Sequence, residues 1–303
     1  MLKIGIIGLG DIARKAYLPV ICQRDLEPHL FTRNEEKLRE TGRQYGINNL
    51  HTSLDSLIES GIQGAFVHSA TSSHFAIVEK LLLNDIHVYV DKPLTSDYTS
   101  SELLINLALE RKLRLQVGFN RRFAPAYEKS KGLSNINMII MQKNRKDLPG
   151  EVRTFVFDDF IHVIDTLLYL FPYKVETINV TGRKVDGLLH HLIIQLINGQ
   201  GAIAVGIMNR DNGAVEERLE VFSPTEKHVV VNVVEEFIYR EHGETRIRQS
   251  DWQSTLYKRG FVQIVDNFLR EICSASTHTD ASAILQTHKI CEEVVNRLSE
   301  GVN

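Results

Sequence analysis

The sequence predicts a two-domain α/β protein: an N-terminal Rossmann domain built on a doubly wound parallel sheet, then an α+β domain with a large, mostly antiparallel open sheet. Three observations carry this. Through Gly118, short apolar runs alternate with amphipathic helical stretches, the βαβ rhythm of a parallel sheet. The first run is followed at once by Gly8-Leu9-Gly10-Asp11-Ile12-Ala13, a GxGxxA turn. Beyond Pro125 the rhythm gives way to successive strands joined by short turns such as Asn198-Gly199-Gln200-Gly201. The expected domains are residues 1–122 and 123–303.

In order, Lys3 to Ile7 is a compact apolar strand, and the glycines after it permit a tight turn and close backbone approach to a pyrophosphate. Ala13 is small enough for the following helix to pack on that strand. The second strand, Glu27 to Phe31, ends in Thr32-Arg33 where an NAD enzyme places a carboxylate on the ribose. Without that carboxylate, a 2′-phosphate could bond Thr32 and pair with Arg33, which favours NADP with NAD as the alternative; Arg33 could equally be a solvated charge at a helix start. A helix near Leu54 to Ser60, a strand from Gly64 to His68 and a helix to Asn84 follow. The next strand runs Ile86 to Val90 and delivers Asp91-Lys92-Pro93, the proline turning the backbone out of the sheet. Open parallel sheets bind ligands beyond the carboxyl ends of their strands, so Lys92 stands where a cofactor and a substrate would meet.

A helix from Asp97 to Lys112 and a strand from Leu115 to Gly118 complete the first domain. In the second, Asn137 to Asn144 and Val152 to Phe157 read as strands, then Asp159 to Phe171 as a helix. Seven further strands run from Val175 to Arg248. Helices from Arg259 to Ser274 and Ala281 to Glu300 close the chain, the last capped by Asp280 and stopped by Gly301. Its stripe of Ile284, Cys291, Val294, Val295 and Leu298 marks Cys291 as core.

A chain of 303 residues with 43% hydrophobic content can build two cores. Lys+Arg 35 against Asp+Glu 38 leaves a formal charge of −3 without blocks of like charge. That argues against nucleic acid or an anionic membrane and for a small-molecule partner. No stretch approaches the ~20 apolar residues of a spanning helix and the first residues form no signal peptide, so a cytoplasmic location is expected. Cys22, Cys273 and Cys291 form no CxxC and are read as reduced core residues. No metal is expected, because His190 and His191 on a regular strand point to opposite faces.

Helical spacing puts Asp158, His162 and Asp165 on one face, with Ile161, Ile164 and Leu168 on another. A histidine between carboxylates suits acid-base work; alternatively Asp158 or Asp159 is a helix cap and the histidine incidental. Arg121 and Arg122 either contact a cofactor or an anionic substrate or simply pair with carboxylates. Trp252 is expected to pack at the edge between the domains, or to line the pocket.

Together the GxGxxA turn, Asp91-Lys92-Pro93 where a Glu-Lys-Pro is usual, Gly118-Phe119-Asn120-Arg121-Arg122-Phe123, and the Asp158, His162, Asp165 series resemble the Gfo/Idh/MocA oxidoreductases. In detail Val67-His68-Ser69, Gly118 to Pro125 and Trp252 to Leu256 look most like the MviM-type, virulence-factor-like branch. The resemblance implies hydride transfer between a nicotinamide and a hydroxyl- or carbonyl-bearing carbon of a sugar or polyol. It also implies a homodimer formed through the open sheet. Carried over by motif, Lys92 holds and polarises the reacting oxygen, His162 exchanges the proton, Asp158 positions the substrate or the imidazole, and Asp165 orients or is structural. Cofactor contacts are implied for Gly8, Gly10, Asp11 and Ile12, for Thr32 and Arg33, for Ser69, Thr71 and His74, for Asp91 and Lys92, and for Asn120. The sequence departs from the family at Asp91, at Thr32-Arg33, and in the short Lys146-to-Gly150 approach to the catalytic helix. Two other classes share the motifs: a nucleotide-binding sensor or assembly protein without turnover, and a hydrolase or epimerase with tightly held nicotinamide.

Overall fold

The computed structural model describes residues 1–274 and 279–299. Two compact units divide the chain: Met1–Gly118 with Phe261–Leu285, and Phe119–Gly260 with the chain from Gln286 on. The crossover lies at Gly118, ahead of the boundary expected at Arg122, and a single boundary makes no provision for the return of Phe261–Leu285.

The first unit holds six parallel strands: β1 (Leu2–Ile7), β2 (Leu26–Phe31), β3 (Asn49–His51), β4 (Gly64–Val67), β5 (His87–Val90) and β6 (Leu115–Val117), in the order β3-β2-β1-β4-β5-β6. Helices cover both faces, and Ile4, Ile6, Ala65, Phe66, Val67, Val88 and Val90 are wholly buried. On one face Phe66 and Tyr89 pack edge-on against Phe268 of the Phe261–Ile272 helix, and Tyr17 joins Phe66 and Tyr89. The winding reverses between β1 and β4, which opens a crevice at their carboxyl ends.

The second unit is an eight-stranded sheet of β7 (Met138–Asn144), β8 (Thr177–Val185), β9 (Leu188–Ile197), β10 (Ile203–Asn209), β11 (Glu216–Phe222), β12 (Lys227–Val231), β13 (Glu235–Arg240) and β14 (Gly243–Ile247). Its order is β14-β13-β12-β11-β7-β10-β9-β8, and only β7 with β10 is parallel. The Ile161–Leu170 helix packs on the inner face. It comes so close that a Cβ on Gly206 would sit 2.8 Å from Val163 and 3.0 Å from Leu167.

Several expectations change. Val152 to Phe157 is helical: Val152–Phe155, a π-turn over Val156–Phe160, and Ile161–Leu170 form one run. Glu151 caps it, accepting from the Arg153 and Thr154 amides at 3.0 and 2.8 Å, so neither Asp158 nor Asp159 is the cap. The β-branched and aromatic residues suggested a strand. Burial of Phe155, Val156, Phe160, Ile161 and Ile164 at helical spacing overrides that propensity. The short β3 and the Pro125–Lys131 helix, which starts on a proline, carry too few residues to show a period.

The β8/β9 register shifts at Arg183/Lys184, so His190 sits in a bulge rather than a regular strand. Trp252 is 97% exposed instead of packed, Cys273 is exposed and Cys22 half-buried; only Cys291 is core. The expected helix stop at Glu300-Gly301 lies outside the described residues. Among the described residues no helix is long and apolar enough to cross a membrane, and no His, Cys, Asp and Glu group has metal-binding geometry.

Candidate active site

In the first unit the chain leaves β1 through Gly8 at φ +84°, a left-handed conformation that glycine adopts without strain. The Gly8 amide donates to the Phe31 carbonyl at 3.0 Å, tying the turn to the end of β2. A Cβ at Gly8 would lie 2.6 Å from the Ser69 nitrogen, whereas one at Gly10 would meet nothing within 4 Å. The turn is therefore pressed against the end of β4 and open above Gly10. There a cavity of about 460 Å³ is lined by Gly8, Gly10, Thr32, Arg33, Lys37 and Ser69 among others, and no carboxylate lines it. That volume suits a cofactor. Backbone approach at Gly8, open space above Gly10 and a cationic end fit a dinucleotide.

Not every residue expected on the cofactor lines this cavity. Asp11 begins the helix beyond it and pairs with Lys15 at 2.8 Å and Arg14 at 3.2 Å, Lys15 foremost lowering its carboxyl. Ile12 beside it is 37% exposed, and Thr71 is half-buried in a 3₁₀ turn. His74 is buried, its ring nitrogens 2.8 Å from the Pro93 carbonyl and 3.0 Å from that of Ser69. With carbonyls at both nitrogens the ring bridges the β4 and β5 ends. Lys92 leaves the end of β5 through a cis bond to Pro93. Asp91 before it lies under Gly118, where a Cβ would come within 3.0 Å of its carboxylate, and burial raises its pKa against the lowering effect of Lys92.

In the second unit the inner face of the sheet carries charge where alternation calls for apolar side chains. Lys143 follows Ile139 and Met141 on β7, Glu217 precedes Leu219 and Val221 on β11, and Lys143 and Glu217 are cross-strand partners. Arg121 grips Glu217 with two 2.6 Å bonds, and the Tyr127 hydroxyl adds a third at 2.9 Å. Burial alone would raise Glu217; the Arg121 charge outweighs it and holds the carboxyl down to about 2. The remaining Arg121 nitrogen, Nη1, lies 2.7 Å from His162 Nδ1.

One turn earlier, Asp159 accepts from Lys143, from Arg145 at 3.0 Å and from Arg210 at 3.2 Å. Four cations thus face two carboxylates in this cluster. Burial, then the Arg121 charge, brings Lys143 down to about 7. Arg122 makes 2.6 and 3.0 Å bonds to Asp165, which Thr287 also reaches at 3.3 Å.

Both arginines therefore bond carboxylates, and Asp165 locks the helix to the Asn120–Phe123 turn. Asp165 is committed to Arg122, and Arg121 faces the imidazole. Asp158 is half-buried on the same helical run. Asn120, expected on the cofactor, donates to the Arg259 carbonyl at 2.8 Å. Sequence reading missed Lys143, Asp159, Arg145, Arg210 and Glu217. A usable signal was present: a lysine and a glutamate at apolar positions of period-two strands.

Residues 2–119 match the model of an oxidoreductase family with an NAD-binding Rossmann fold, GFO_IDH_MocA, and residues 125–241 that of a YceM-like C-terminal domain. YceM of Salmonella typhimurium is 33% identical over 281 residues, covering 88% of each chain. The chain belongs to the Gfo/Idh/MocA oxidoreductase family. Its structure superposes on the crystal structure of the Clostridium difficile dehydrogenase MviM with a TM-score of 0.92, at 31% identity over 98% of this chain and 99% of that one. Myo-inositol 2-dehydrogenase of Thermotoga maritima is 25% identical over 299 residues, 90% of this chain and 89% of its own. The cationic layer of Lys143, Arg145 and Arg210 around Asp159 is what the short Lys146-to-Gly150 approach stands next to.

Proposed function

We propose that this Gfo/Idh/MocA protein is a dehydrogenase or reductase that moves hydride between a nicotinamide dinucleotide and a hydroxyl- or carbonyl-bearing carbon of a small sugar or polyol. The observation that carries the reading is a glycine cradle at the β1/β4 reversal on the same strand ends that present Lys92. The polyol class is supported by the similarity to myo-inositol 2-dehydrogenase. When bound, the nicotinamide supplies or takes up hydride. Lys92 is proposed to hold the reacting oxygen and stabilise the charge that develops on it, His162 to exchange the proton, and Asp158 to position the substrate. A panel of sugars, polyols and keto-sugars followed by nicotinamide absorbance tests the reading; a panel wholly silent with both NADP and NAD would remove it.

NADP is the proposed cofactor. Thr32, Arg33 and Lys37 line one end of the cavity, and among the described residues Arg33 has no ion pair that would neutralise it. NADPH is expected to bind at least tenfold more tightly than NADH, about 1.4 kcal/mol, with Arg33→Asp reversing the order in a fluorescence titration. Equal wild-type affinities would contradict the assignment.

The protein is proposed to dimerise through the outer face of its open sheet. Met138, Ile140, Ile193, Ile203, Val205 and Ile207 lie there in neighbouring registers, with Met138 and Ile193 exposed by 38% and 37%. Light scattering should give twice the 34.5 kDa chain mass at micromolar concentration, and a monomer would count against it.

A further inference from the structure

We propose that the cavity beside β14 in the second unit binds an acidic sugar, with Trp252 under the sugar ring and Arg248 and Lys258 on its phosphate or carboxylate group.

The cavity measures about 810 Å³ and lies where the chain leaves β14, and none of the residues assigned to the dinucleotide or to the reaction lines it. That volume falls in the range of small-molecule sites. β14 is the terminal strand of its sheet, so the cavity stands at an edge that no neighbouring strand of the chain covers.

Two cations on its wall have no counter-charge. Arg246 is already paired, with Glu235 at 3.1 Å across the hairpin, and its guanidinium lies over the Phe237 ring. Arg248 and the half-buried Lys258 have neither an ion pair nor a side-chain hydrogen bond among the described residues. Asp251 shares the wall without pairing to either, so three cations stand against two carboxylates. A single unpaired arginine is at ease in water. Two uncommitted cations that converge on one concavity make a positive field that draws in an anion. The planar fork of Arg248 matches two oxygens of a phosphate or carboxylate, and the Lys258 ammonium adds a point charge beside it.

Trp252 decides what the anion is attached to. It is the one tryptophan of the chain and is 97% exposed. A side chain of this type buries roughly 150–250 Å² when it finds a partner, and here that surface is left in water. Its position is nevertheless built. The Ser250 hydroxyl accepts from the Trp252 amide at 3.3 Å and the Ser250 carbonyl from the Gln253 amide at 3.2 Å, while Ser254 caps the next helical turn by accepting from the Tyr257 amide at 3.1 Å. On the other side Gln249 donates to Glu236 at 3.2 Å. The indole is thus displayed on a braced turn. A flat apolar ring next to the free acceptors of Asp251 suits a ligand with an apolar face and a rim of hydroxyl donors. A pyranose has both: its axial C–H groups stack on the indole while its hydroxyls reach the carboxylate.

The single tryptophan makes the site report on itself. Emission of the full-length protein is titrated with glucose 6-phosphate, glucuronate, glucose and inorganic phosphate, with acrylamide as quencher. The two acidic sugars should move the emission to shorter wavelength, protect it from acrylamide, and bind at least about tenfold more tightly than glucose or phosphate, the worth of one charge-assisted hydrogen bond. Arg248→Gln and Lys258→Gln should each weaken that binding by about tenfold or more. Both variants should keep the melting temperature and the dinucleotide affinity of the wild type, which shows that the loss is local. Glucose as effective as the acidic sugars would overturn the anion contact, and inorganic phosphate as effective would overturn the sugar. Silence toward all four probes up to about 10 mM, a dissociation constant too weak for a built site, would overturn the proposal outright. So would a tryptophan already protected from acrylamide before any sugar is added, to an extent that rises with protein concentration, because a second copy of the chain would then be its cover.

Discussion

Alanine at position 8 is expected to abolish dinucleotide binding, weakening it by a hundredfold or more in a calorimetric titration. The added Cβ would meet the Ser69 nitrogen at 2.6 Å and the His68 carbonyl carbon at 2.7 Å, and both are backbone atoms that cannot swing aside. The φ of +84° adds the left-handed strain that any L side chain carries, of order 1–2 kcal/mol. The turn must then separate from β4, which opens the crevice on which the phosphate amides converge. Gly10→Ala supplies the contrast. Its Cβ would point into open space, so the fold should keep its melting temperature while a ligand seated above the turn meets a methyl group. Undiminished affinity in Gly8→Ala would show that the dinucleotide is held elsewhere.

Lys92→Met is the second large effect. Methionine keeps most of the stem volume and removes the ammonium, so affinity for the dinucleotide should change by less than about threefold. Turnover should fall by about a hundred- to ten-thousandfold, the range for a positioned acid-base or electrostatic group. Separation of the two readouts matters, because a variant that lost both would point to collapse of the β5 end, where Asp91, Gly118 and His74 pack. Turnover within a few fold of wild type would remove Lys92 from the chemistry.

The first unit was legible in the sequence because its information is local. The glycine turn, the apolar strands and Asp91-Lys92-Pro93 each lie within a few residues of one another, and the winding rule places their ends together. The protein partners of His74 and Asn120 were hidden for the opposite reason. Their partners, the Pro93, Ser69 and Arg259 carbonyls, are set by tertiary packing, and a polar residue near a binding loop looks the same whether it faces a ligand or braces the backbone.

The second unit hid more. Arg121 and Glu217 are separated by 96 positions, and nothing local couples them. The strand reading of Val152 to Phe157 displaced the start of the helix, and with it the view of Asp159, which faces the sheet through a π-turn no sequence pattern announces. Lys143 was the accessible clue. A lysine two places after Met141 on a half-buried strand breaks the alternation, and a break of that kind marks a residue retained for something other than packing.

The most direct test of the account is the absorbance of reduced nicotinamide when wild-type protein and Lys92→Met are offered sugars, polyols and keto-sugars with NADP and with NAD. The account predicts turnover of at least one polyhydroxylated substrate by the wild type, faster with NADP, and its near loss in the variant. Equal rates in the two proteins, or no change in absorbance from either despite measured dinucleotide binding, would contradict it.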